Sequence, residues 1–210
     1  MRITLRVLLG AAIILLVYIC YRSIMSSIEF DEERKSRESA IQARLIDIRK
    51  AQIEFKNVYG VHAANFGELG KFLKETRLPF IIKEGELTDE QLEKGMKEKE
   101  AIKLGLIKRD TFWVLAKDTL FSPNFSVDSL SIIPVAGVNA HFSLDTATLP
   151  SASGYTVKVF ESGVKYDTYM GDLDHQQLVN LKDKAKKLGR YDGLRVGSVT
   201  EINNNAGNWE

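Results

Sequence analysis

The chain is short of cysteine, proline and net charge, and each shortage closes off a class of explanation. A single cysteine, Cys20, forbids an intramolecular disulfide, which excludes a disulfide scaffold and allows either a cytoplasm or a periplasm. Basic and acidic residues nearly cancel, 29 against 28, so no whole-chain field points to nucleic acid or another polyanion. No long period repeats, which excludes a solenoid. There is no G-x-S-x-G elbow and no glycine-rich phosphate loop. The three histidines, His62, His141 and His175, have no mutual ligand spacing, and Cys20 sits in an apolar run, so a zinc set is missing too. The expectation is a protein that is not an enzyme, with no catalytic, cofactor-binding or metal-ligating residue assigned.

What is present begins at the N-terminus. "MRITLRVLLGAAIILLVYICYRSIM" carries Arg2 and Arg6, an uncharged run from Val7 to Tyr21, and then Arg22. Leu5 and Ile24 extend the run, and the arginines can snorkel toward head groups, so residues 5–24 read as a transmembrane signal anchor. "VYICYRS" puts bulky residues where a signal peptidase needs small ones, which favours an uncleaved anchor over a cleaved signal peptide or a buried soluble helix. The basic start places residues 1–4 in the cytoplasm and residues 61–210 in the periplasm, with the anchor in the inner membrane. The membrane lipid around residues 5–24 is the first expected partner, and no nucleic acid is expected.

From Ala11 to Tyr59 there is neither glycine nor proline. The apolar residues run all round the helix through the anchor and then thin to one stripe. Ile41, Leu45, Ile48, Phe55 and Tyr59 form it, with Ala51 or Gln52 filling the gap. Residues 25–60 are therefore predicted as an amphipathic helix continuous with the anchor, the alternative being a bend near Ser23–Ser27. Phe55 should be buried and its neighbour Lys56 solvated. Gly60 is the expected stop.

Asn65 with Glu68 reads as a capping box opening a helix with Phe66, Leu69, Phe72 and Leu73 on one side, closed by Pro79. "FIIKEGEL" suggests a strand and turn. Thr88 with Gln91 suggests a second cap, on a solvated helix ending at Gly105. Beyond Leu106, "TFWVLAKD", "SLSIIPV", "AHFSLD" and "YTVKVFESG" have strand chemistry, predicting an antiparallel sheet of four or five strands. Asp174 with Gln177 caps a helix with Leu178, Leu181, Ala185 and Leu188 on one face and Gly189 as its stop. "LRVGSVTEI" is a last strand before the polar tail "NNNAGNWE". The fold class predicted is α+β, a long N-terminal helix packed on a small antiparallel sheet with additional short helices.

Phe55, Gly60 and Leu69 hold the places of the aromatic, glycine and leucine that follow the long helix of the major pseudopilins. On these residues, the N-terminal part (about 1–73) resembles the type IV pilins and type II secretion pseudopilins. His62 and Ala63 stand where tyrosine and proline are usual. Gly10 ends a short basic leader as in a prepilin, but Leu15 occupies the position of the glutamate that normally follows. The resemblance implies a pilin-like fold and a structural role in an envelope machine for secretion or surface assembly, with self-association or partner proteins. The C-terminal third, from "YDTYMGDLDHQQ" onward, is similar to a family of membrane proteins of the Bacteroidota with no assigned activity, which implies a double-membraned host. The alternative from another class is a monomeric membrane-tethered binding module.

Three features remain open. Asp167, Asp172 and Asp174 could supply oxygens to Ca²⁺, but they match no EF-hand spacing, and Asp174 is already the expected cap. Lys182, Lys184, Lys186, Lys187 and Arg190 form a basic cluster that either complements a helix C-terminus or binds an anion. Trp209 either folds back onto the domain or is presented to a partner.

Overall fold

The computed structural model describes residues 2–85, 100, 102, 104–106, 108–151 and 154–210. It is α+β, with one long N-terminal helix and two small antiparallel sheets. Helix α1 runs Arg2–Tyr59 without interruption, 58 residues and so about 87 Å at 1.5 Å per residue. The bend near Ser23–Ser27 does not occur. The cause is the sequence itself, which offers no proline or second glycine inside the run. Gly60 ends the helix at φ 72°, in the left-handed region that glycine reaches without strain, and its N–H bonds the Lys56 carbonyl at 2.8 Å.

The chain divides into two compact units, one of residues 1–66 and 128–210 and the other of residues 67–127. The stretch 61–210 is thus shared between them. The second unit holds α2 (Phe66–Glu75, whose first residue belongs to the other unit), β1 (Arg77–Glu84), β2 (Lys108–Leu115) and α3 (Ala116–Leu120). Leu69, Phe72 and Leu73 form the buried side of α2, as the periodicity predicts. Pro79 lies within β1, because α2 has already ended at Glu75. "TFWVLAKD" is split, its first part in β2 and "AKD" opening α3. β1 and β2 pair antiparallel from Arg77↔Leu115 to Glu84↔Lys108. The predicted Thr88–Gln91 cap and most of its helix lie outside the described residues. Its expected stop, Gly105, has φ 71°.

The first unit packs α1 on a three-stranded sheet of order β3-β4-β5 (Ser143–Pro150, Thr156–Lys165, Gly193–Gly197), with α4 (Tyr166–Met170) and α5 (His175–Lys187) between the last two strands. The expected single sheet of four or five strands is therefore two sheets. "SLSIIPV" forms no strand: a 3-10 turn spans Val127–Ser129, and only an isolated bridge joins Ile132 to His141. Leu130 and Ile133 are buried all the same, which is the apolar signal that imitates a strand. The core side of α1 is Ile41, Leu45, Ile48, Ala51, Gln52 and Phe55, all buried, while Tyr59 is exposed. Facing strands and α4 contribute Phe160, Val196, Tyr169 and Met170.

The polar tail is part of this unit. Gly197 N–H bonds the Ala206 carbonyl at 3.0 Å, and Asn208 closes on Gly193 and Arg195 through backbone and side chain. Asn204 and Asn205, both at positive φ, turn the chain back alongside β5.

Candidate functional site

The two halves of α1 have opposite surroundings. In the first, apolar side chains lie open on every side, Ile14 being 72% exposed and Leu16 63%. An 18-residue window there is apolar enough to cross a membrane, and none of the described residues buries it. A water-soluble domain does not leave such a surface uncovered, so this half fits a single-pass membrane anchor. Cys20 lies exposed within it.

Beyond the anchor the helix enters the first unit through a polar section. Between buried Phe30 and buried Ile41 the inward positions are taken by Arg34, Arg37 and Glu38. The Arg37 guanidinium grips both oxygens of Asp172, at 2.6 and 2.8 Å, and donates to the Tyr169 carbonyl at 2.6 Å and to Glu33 at 2.8 Å. Donation from Arg37 holds the Asp172 carboxyl below its usual range, and Asp172 chiefly holds Arg37 protonated. This clasp ties α1 to the α4–α5 connection. Burial raises the Glu38 carboxyl and, more strongly, the Tyr169 phenol beside it.

The three aspartates are each engaged by a protein donor. Asp172 is held by Arg37, Asp167 pairs with Lys182 at 2.5 Å, and Asp174 caps α5 by accepting from the Gln177 N–H at 3.0 Å. Asp174 also accepts from the Ser26 hydroxyl at 3.0 Å, a second link to α1. No group of three or more His, Cys, Asp or Glu able to hold a metal comes together among the described residues. His141 meets the Ser131 hydroxyl, His175 opens α5, and His62 is buried against Phe160, so the histidines do not converge.

The far end of α1 carries a lock that sequence spacing does not reveal. Gln52 is fully buried, and its amide makes a reciprocal pair with the Ala63 backbone, donating to the carbonyl at 3.0 Å and accepting from the N–H at 2.9 Å. The chain reverses at Gly60 and is pinned against its own helix. Lys56 and Lys158 then exchange ammonium-to-carbonyl bonds, Lys56 to Lys158 and Lys158 to Gly60. Lys56 is therefore half-buried and bonded, a correction to its reading as a solvated neighbour of Phe55. The His62 ring packs 4.8 Å from Phe160, and neither of its nitrogens has a hydrogen-bond partner. Burial, reinforced by the Lys56 charge, pushes its pKa down to about 4; backbone groups of Gln52 and Lys158 oppose this weakly. A glutamine within an apolar stripe needs partners for its amide, but the sequence does not say which backbone groups supply them.

The basic cluster separates by role. Lys182 is paired with Asp167, whereas Lys184 and Arg190 line a groove that also contains Trp209. Trp209 is folded back, half-buried, against Gly207, and Glu210 pairs with Arg49 of α1 at 2.7 Å. Leu178 and Ala185 are buried on the predicted face of α5, but Leu188 is exposed, because the helix is already ending there.

Compared with family models, curated proteins and solved structures, the chain finds no match.

Proposed function

We propose that this chain is a pilin-like or pseudopilin-like structural component of an envelope machine for secretion or surface assembly. Its anchor would lie in the inner membrane and its α+β domain in the periplasm. One observation carries the reading: a single helix is apolar and uncovered over its first half and forms a wall of the folded core over its second. Such a helix transmits position from bilayer to domain without a hinge, which suits a subunit that is moved or stacked by its neighbours. The positive start of the chain supports the orientation. Leu15 stands where a pilin carries glutamate, so the amine–carboxylate pair of ordinary pilin assembly has no acidic partner at this position.

The test is the state of the protein in its own membranes. Extracted in mild detergent, it should run as a self-associated species or co-purify with other envelope proteins. Recovery as a lone monomer would move the assignment to a membrane-tethered binding module, the reading that the groove beside Trp209 favours.

A further inference from the structure

We propose that the groove bounded by α1, the C-terminal end of α5, the start of β5 and the C-terminal tail binds a small organic carboxylate with an apolar or aromatic body. The groove is open to solvent on one side and offers about 260 Å³, space on the scale of a small organic molecule. Its charged lining is unbalanced: Arg34, Lys184 and Arg190 stand against Glu38. Among the described residues the side chains of Lys184 and Arg190 make no ion pair, so their charge is available to a ligand. Arg34 is paired with Asp31 at 3.1 Å, yet its Nε is buried with no hydrogen-bond partner. A buried donor left unmade is costly, and a ligand oxygen there would relieve it.

The remaining walls choose the rest of the ligand. Tyr166, Tyr191 and Trp209 supply three aromatic surfaces, and among the described residues none of their polar tips makes a hydrogen bond. Leu181 and Leu188 add aliphatic surface. An inorganic anion would use the cations and waste these surfaces; a neutral apolar molecule would do the reverse. A carboxylate uses both, since guanidinium geometry matches its two oxygens. Among the described residues Glu38 is the one acidic side chain of this lining; burial raises its carboxyl, while Arg34 and the Tyr169 hydroxyl work against that shift.

This inference is independent of the assembly reading and is tested on the full-length protein in detergent micelles. Trp113, the other tryptophan, is replaced by phenylalanine so that emission reports Trp209 alone. Titration with 3-phenylpropanoate or hexanoate should give a saturable change. The neutral 3-phenylpropanamide should bind at least tenfold more weakly, as should the acid to a Lys184→Ala, Arg190→Ala variant, with unchanged far-ultraviolet dichroism. Both variant positions are exposed, so folding should persist. A flat titration, equal binding of the amide, equal binding by the variant, or inorganic phosphate competing as well as the acids would each overturn the proposal.

Discussion

At the scale of single residues, the fold depends on polar side chains in buried places. Gln52 satisfies both backbone groups of Ala63, so Gln52→Leu keeps the volume and strands a buried N–H and C=O. The expected loss is about 2 kcal/mol or more, read from thermal melts of the detergent-solubilised chain. A silent change would mean that water replaces the amide. His62 gives a pH signature. Its pKa is about 4 in the folded protein against 6.5 when solvated, so the unfolded chain binds more protons between these values. Stability from His62 is therefore complete above pH 6.5 and declines as pH falls toward about 4, by on the order of 3 kcal/mol in all. Glu38 and Asp47, both held up by burial, act in the opposite direction. The difference between wild type and His62→Leu isolates the histidine, and equal slopes would remove the buried neutral ring from the account. Neither role was legible in the sequence. In the sequence Gln52 looks like filler in a stripe and His62 like a departure from a motif, because hydrogen-bond partners eleven residues apart depend on where the chain turns back.

At the scale of elements, α1 was the most legible part. Its period marks Ile41, Leu45, Ile48 and Phe55, each of them buried, and overreaches at Tyr59, which is exposed where the helix ends. Phe55→Ala should cost about 3–5 kcal/mol, and exposed Asn57→Ala no more than about 0.5 kcal/mol, by the same melting measurement. Lys56 is unsuited as the control, given its bond to Lys158. The caps of α5 were equally readable, since Asp174 and Gly189 act through local geometry. Strands were less so. "SLSIIPV" has strand composition but is buried as irregular chain, and composition cannot say whether a partner strand lies alongside. The Arg37–Asp172 clasp was invisible for a related reason, its partners being 135 residues apart. Arg37→Ala should destabilise more than Asp172→Ala, because Arg37 also holds the Tyr169 carbonyl and Glu33. Equal losses, or full suppression of the Asp172→Ala effect by salt, would reduce the clasp to an ordinary surface pair.

For the whole molecule, the account joins a bilayer span and a domain core in one rod. The anchor predicts that the mature protein keeps Met1 or Arg2 and stays with membranes through a carbonate wash. A new terminus at Ala11 would instead mean prepilin-type processing after Gly10. The central claim is that this rod works beside other protein subunits in the membrane. It is tested most directly by placing a photo-crosslinking residue at Ile14, on the uncovered face of α1, and irradiating intact native membranes. The account predicts a discrete protein adduct, to a second copy or to one envelope partner. Adducts to lipid alone, with all of the chain remaining monomeric, would contradict it.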